Sequence, residues 1–294
     1  MKFPKLSSKA ILAPMEGVTN VAFRHLCREL GAGLTTTEFV NCHAILNKDK
    51  RIETMLKKAT NEKPSCVQLF GSDPNLILKA ALKIEKEFDI IDFNLGCPSR
   101  KVVKLDAGSA LLKNPKKIKE ILTLLTSNIK KPITAKIRIT KNLKQVILAC
   151  EKSNISALTI HARTPSQNYK QKPDWEIFKK IKTSIPIVIG NGDINSLESY
   201  KKYKDYTNYI MIGRYASRNP LIFKEIQNKK TNSDKIKLIL KYLKLVKKYN
   251  LTKAHYLVEL NILTKDFYNS TKIRKNINQL DNIDEVLDYF KKLN

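Results

Sequence analysis

The stretch Asn94-Leu95-Gly96-Cys97-Pro98 holds the thiol with the most suggestive setting in the chain. Glycine relaxes the backbone before it and proline keeps Cys97 out of helical geometry, so the thiol is expected on a loop. An isolated cysteine in a reducing compartment is usually an inert core residue, and Cys27, Cys42, Cys66 and Cys150 keep that reading. No CxxC or CxxxH spacing gathers the five into a metal site, which predicts free thiols and no structural zinc.

Further polar residues stand where short apolar runs end: Pro14-Met15-Glu16, Glu38, Gln68, Asn94, Lys136 with Arg138, His161 with Arg163, Asn191-Gly192-Asp193 and Gly213-Arg214. The last two groups are glycine-bearing turns whose backbone amides could cradle a phosphate, although tight turns alone would use the same glycines. Gln68, Lys136 and His161 could surround a flat, hydrogen-bonding ring such as a flavin, with donors along one edge to stabilise negative charge on the reduced ring. Taken singly, His161 reads as well as a satisfied core histidine, and Lys136 as a side chain reaching solvent.

These residues need a scaffold that brings eight chain segments to one place. Eight β-branched apolar runs predict strands over 10–15, 33–40, 65–70, 90–95, 133–139, 157–162, 186–190 and 209–213. Helix-period segments lie between them, at 20–30, 74–88, 115–128, 143–153 and 196–203, several opened by Asp, Asn or Ser and by proline in the first turn. The alternation predicts an α/β fold, a (β/α)8 TIM barrel, whose sites lie at the carboxyl ends of the strands. A doubly wound open sheet is the alternative, but no GxGxxG follows the first strand. After Asn228 the strands stop and helical segments run near 233–249, 252–267 and 281–293, which predicts a barrel domain over 1–228 and a small helical domain over 229–294. The polar, basic segment 99–109 has no clear period and reads as a mobile lid.

Composition narrows the function classes. With 42% hydrophobic and 28% charged residues, the 294-residue chain is neither disordered nor fibrous, and it can bury a large core. No apolar run approaches the roughly 18 residues of a membrane span, and no signal-peptide pattern opens the chain, so a cytoplasmic protein is expected. The net charge of +28 favours a polyanionic partner through phosphate contacts, although most of the 55 basic residues are lysines in a chain also rich in Asn and Ile. The tail is basic without being extreme, so a solvated helical cap is as fair a reading of it as a nucleic-acid surface. The oligomeric state stays open, with a monomer as the default.

The chain resembles the tRNA-dihydrouridine synthases, FMN-dependent enzymes of the bacterial type. The resemblance rests first on Ile91-Asp92-Phe93-Asn94-Leu95-Gly96-Cys97-Pro98 continuing to Gly108-Ser109. Ala13 to Thr19, Gln68 to Ser72, Lys136-Ile137-Arg138, His161 to Thr164, Gly190 to Ile194 and Met211 to Arg214 follow in the family's order. It implies reduction of the C5=C6 bond of particular tRNA uridines, with hydride passing from reduced FMN to C6, a proton from Cys97 to C5, and NADPH re-reducing the flavin. It further implies that Pro14, Met15, Glu16, Gln68, Lys136, His161, Asn191, Gly192, Asp193, Gly213 and Arg214 bind FMN. Asn94, Arg138 and Arg163 would hold the uracil or a nearby phosphate, and the helical tail would bind tRNA. Ile139-Thr140-Lys141, where relatives often carry Gly-Trp, and Asn20, in place of a common Asp, depart from the pattern. A flavin barrel acting on a free pyrimidine and an RNA-binding protein without turnover remain the competing readings.

Overall fold

The computed structural model describes residues 1–229 and 234–293. Eight parallel strands, β1 (Ala10–Leu12), β2 (Thr35–Asn41), β3 (Ser65–Phe70), β4 (Ile90–Leu95), β5 (Ile133–Arg138), β6 (Ala157–His161), β7 (Val188–Asn191) and β8 (Tyr209–Ile212), pair in sequence order. β8 returns to β1, and two backbone bonds, Leu12 N to Leu34 O (2.9 Å) and Gly33 N to Ala10 O (2.8 Å), close β1 onto the start of β2. The closed ring is the expected TIM barrel. Its strands run one to three residues shorter than the sequence suggests at 10–15, 133–139, 157–162 and 209–213, because the last residues of those runs leave the ladder to line the mouth.

Period-two alternation explains why the barrel holds two kinds of core. Ile91, Phe93 and Leu95 of β4 and Leu158 and Ile160 of β6 point outward into the apolar layer beneath the helices. Ile11, Cys66, Ile90, Ala157, Ile189 and Met211 form a separate apolar plug inside the ring. Above that plug the inward positions turn polar, and Gln68, Asp92, Thr134, Thr159 and His161 are buried there.

The helices begin where short polar side chains can satisfy their free N–H groups. Asn20 accepts from Phe23 N ahead of helix 21–29, Asp73 accepts from Leu76 N with Pro74 following, and Asn114 accepts from Lys117 N with Pro115 following. The sixth unit departs from the alternation: a long loop leads to a single helical turn, Ile177–Lys180. The segment read as an irregular lid contains a helical turn, Arg100–Val103, with Val102 and Ala107 buried, and a 3-10 helix follows at Gly108–Lys113.

Among the described residues the tail forms four helices, Lys235–Lys248, Lys253–Leu263, Ser270–Gln279 and Ile283–Leu293; the third was not foreseen. The start of the expected 233–249 segment and residues 230–232 lie outside the described residues. Helix 235–248 packs on helix 21–29, where the ring of Tyr242 meets Phe23 edge-on at 6.2 Å. Asn20 Nδ2 donates to the Tyr242 hydroxyl (2.9 Å) and to His255 O (3.0 Å), and Lys57 Nζ donates to Tyr249 O (3.0 Å). Fully buried Phe23, Tyr242, Tyr256 and Phe290 make this packing substantial, at roughly 2 kcal/mol for each large side chain removed from water. No helix among the described residues is long and apolar enough to cross a membrane.

Candidate active site at the barrel mouth

Register brings the polar strand ends side by side. Gln68 lies opposite Asp92, Asn94 opposite Lys136, Arg138 opposite His161, and His161 opposite Asn191. The spacing Asp92-x-Asn94 and Lys136-x-Arg138 therefore places both members of each pair on one face of its strand.

On the β3–β4 side the polar groups bond to one another. Gln68 Nε2 donates to Asp92 Oδ2 (2.6 Å), Thr134 Oγ1 donates to Asp92 Oδ1 (2.6 Å), and Asn94 Nδ2 donates to Gln68 Oε1 (2.8 Å). Asn94 Oδ1 then accepts from Gly96 N (3.1 Å) and Cys97 N (3.0 Å). The chain thus pins the backbone that carries the thiol. Ser109 N donates to Cys97 O (3.0 Å) from the other side. Gly108 makes that contact possible: its φ is +59°, and a Cβ there would lie 2.7 Å from Cys97 O.

Cys97 is the only one of the five unpaired cysteines that is not fully buried. Burial pushes its thiol up from the ordinary value and the carboxylate of Glu16 adds to this, against the Ser99 peptide N–H and the charges of Arg138 and Lys136. Glu16 itself stands exposed on the rim. Asp92, buried, is also held above the usual carboxylate range.

On the β5–β8 side a cleft of about 320 Å³ opens, lined by Pro14, Met15, Lys136, His161, Arg163 and, from the last two strand ends, Asn191, Gly192, Asp193, Gly213 and Arg214. Ten of the residues singled out in the sequence meet there; Glu16, Glu38, Gln68, Asn94, Cys97 and Arg138 lie outside its lining. Lys136 Nζ donates to Asn191 Oδ1 (3.1 Å), and Asn191 Nδ2 donates to Met211 O (2.8 Å). Burial first, and then Arg138, push the Lys136 ammonium down to about 8. Burial and the surrounding charges of Lys136, Arg138, Arg163 and Arg214 drive His161 to about 2, so its ring is neutral.

Asp193 is the one acidic side chain in the lining among the described residues, and it pairs with both Arg163 and Arg214. Burial works against its charge, but the two guanidiniums hold it below the usual range. At Gly192 and Asp193 the backbone takes φ of +143° and +43°, and among the described residues nothing accepts from the peptide N–H groups of Gly192, Asp193 or Ile194. Consecutive free N–H groups at a turn of this kind form an anion-binding concavity. A side chain at Gly192 would press within 2.9 Å of Pro173.

Two features escaped the sequence reading. Arg138 Nη1 donates to Thr164 O (2.9 Å), while Arg163 Nε donates to Gln171 O (2.8 Å), so two buried arginines grip the loop between Thr164 and Gln171. That loop carries Tyr169, whose ring lines the cleft, lies nearly parallel to His161 at 6.4 Å and has the Arg214 guanidinium 4.0 Å from its centroid. Asp92 was visible only as part of a motif, although its period-two relation to Asn94 marks it as inward-facing.

Among the described residues no group of three or more His, Cys, Asp and Glu side chains could hold a metal ion. The N–H groups without an acceptor, the surplus of cations and the polar side chains of the lining fit a phosphorylated cofactor.

The fold alone is shared with a solved 2-naphthoyl-CoA reductase in complex with 2-naphthoyl-CoA, at a TM-score of 0.57 and 11% identity over 76% of this chain and 50% of that one. At the level of sequence the chain is similar to tRNA-dihydrouridine synthase B of Vibrio cholerae, 38% identical over 76% of this chain and 72% of that protein. It is similar also to a probable tRNA-dihydrouridine synthase of Rickettsia conorii, 37% identical over 76% and 71%. The family model described as dihydrouridine synthase (Dus) matches residues 11–292, nearly the whole length over which barrel, thiol loop and helical tail have been traced, and the chain belongs to that family of oxidoreductases.

Proposed function

We propose that this protein is an FMN-dependent tRNA-dihydrouridine synthase that uses NADPH as its reductant and works in the cytoplasm. The observation that carries the reading is the pairing of a thiol kept in its protonated form with an adjoining cleft whose cations outnumber its single carboxylate. In this reading the N–H groups of Gly192, Asp193 and Ile194 and the Arg214 guanidinium hold the FMN phosphate. Pro14, Met15, Lys136, His161, Asn191 and Gly213, together with Gln68 and Glu16, would hold its ring.

When bound, FMN would supply the hydride needed at uracil C6. Negative charge would then develop at C5 and the C4 oxygen, where the Arg138 guanidinium would stabilise it. Cys97 delivers the proton to C5. A thiol rather than a thiolate is needed for this, and the upward displacement of its pKa keeps the proton in place at neutral pH. No neighbouring base is required. Asn94 acts by fixing the Gly96–Cys97 backbone as well as by facing the uracil, and Arg163 anchors the loop that carries Tyr169.

The target uridine must leave the RNA stack, at a cost of a few kcal/mol that contacts elsewhere offset. The basic tail beyond residue 228 is assigned that task as a tRNA-binding unit beside the catalytic barrel of 1–228, reading shape more than bases. Incubating the purified protein with FMN, NADPH and an unmodified tRNA transcript is expected to yield dihydrouridine, with no turnover of free uracil. Turnover of free uracil alone would favour the free-pyrimidine reading, and RNA binding without either product would favour a non-catalytic one.

A further inference from the structure

The tail presents one aromatic ring to solvent without a partner. Tyr268 is 91% exposed, more than any other large apolar side chain among the described residues. It stands in the turn between helices 253–263 and 270–279, after Phe267, which packs on the core, and before Asn269, whose φ of +57° redirects the chain. That turn is tied to the barrel by the ion pair of Asp266 with Arg218, and Arg218 lines the cleft. Tyr268 therefore stands close to the rim of the mouth, two residues from the tie.

Its surroundings are cationic and polar. Lys265, Lys272 and Lys275 are exposed, and among the described residues none of the three forms an ion pair. The only acid in the turn, Asp266, is held below its ordinary value by Arg218. Asn269, Ser270 and Thr271 complete the shallow depression that Tyr268 borders with Lys272 and Lys275. Beside Phe267 and Tyr268, the depression carries only polar and cationic side chains. An exposed ring set among ammonium groups matches what single-stranded nucleic acid requires: a stacking face for one base and cations for the flanking phosphates.

The geometry points to Tyr268 as a stacking platform for an unpaired base of the RNA substrate, away from the reacting uridine, with Lys272 and Lys275 on neighbouring phosphates. This rests on the tRNA reading above and adds to it a second point of contact on the tail.

Filter retention of an unmodified tRNA transcript by the full-length, FMN-loaded protein at several salt concentrations tests the assignment. Tyr268→Ala is expected to weaken retention about tenfold at every salt concentration, and Tyr268→Phe to restore it, since the stacking face is what matters. The slope of log K against log salt should not change in either variant, because no phosphate contact is lost. Lys272→Ala combined with Lys275→Ala is expected to flatten that slope by about one to two. Equal retention by wild type and Tyr268→Ala, in a preparation that still makes dihydrouridine, overturns this inference alone. A wild type that neither retains tRNA nor modifies it overturns the tRNA reading as well.

Discussion

On the β3–β4 side of the mouth, Gln68, Asp92, Asn94 and Thr134 spend their hydrogen bonds on one another and on the backbone of Cys97. On the β5–β8 side, Lys136, Arg163 and Arg214 crowd around a neutral His161, and among the described residues Asp193 is the one carboxylate of the lining that balances them. The first region satisfies its own polar groups and holds the Cys97 backbone in one position. The second has, among the described residues, more cationic side chains than carboxylates and peptide N–H groups without an acceptor, which is the chemistry that suits an anion. The difference separates two duties that single-residue reasoning runs together: positioning a reactive group and binding a charged ligand.

The comparison can be broken most severely at Cys97. Replacing it as Cys97→Ala is expected to lower dihydrouridine formation by about 10²- to 10⁴-fold, the range of a lost general acid, with FMN binding unaltered in a fluorescence titration. A parallel loss of FMN would show that the two sides are not separate.

Lys136→Met addresses the other side. Removing a charged hydrogen-bond donor is expected to weaken FMN binding about tenfold to a hundredfold. The same change should raise the thermal midpoint of the FMN-free protein at pH 7, because the folded state carries that ammonium against its burial. Opposite movements in affinity and stability would mark a group kept for its ligand.

Asp92→Ala tests the self-contained side. It leaves Gln68 Nε2 and the Thr134 hydroxyl without their acceptor and is expected to cost about 1–3 kcal/mol in denaturant unfolding. Activity should fall through kcat, with the Kd for FMN little changed.

The gentlest probe is pH. Lys136 in the free protein titrates at about 8, and an anionic ligand raises that value in the complex. FMN binding should therefore be steady below pH 8 and weaken by up to about tenfold per unit above it. The ligand's own phosphate, with a second pKa of about 6, is already ionised there. A flat profile to pH 10 would remove Lys136 from the binding side.

Much of this arrangement was legible in the sequence because a barrel converts strand ends into neighbours. Once eight runs are read as parallel strands, Asn94, Lys136, His161 and Asn191 have to converge, and ten of the named residues do line one cleft. What escaped depends on contacts that no spacing encodes. Tyr169 matters because the side chains of Arg138 and Arg163 reach across to hold its loop, and no local pattern announces that reach. The helical turn at Arg100–Val103 hid in a charged segment too short to show a period. Helix 270–279 is hard to read because its Asn, Ser and Thr residues have weak helix propensity; its burial of Ile273 and Ile277 against the tail decides the matter instead.

The seam between β1 and β2 bears on how the molecule is assembled. β1 pairs with β8 about two hundred residues later in the chain, while its other edge is joined to β2 by only two backbone bonds. The helix that connects β1 to β2 is the one that helix 235–248 grips through Tyr242 and Asn20. Pairing over so long a separation forms late, since the entropy of closing the intervening loop comes before any contact offsets it. The tail thus fastens the ring at its thinnest joint, holding the connection between β1 and β2 from outside the sheet.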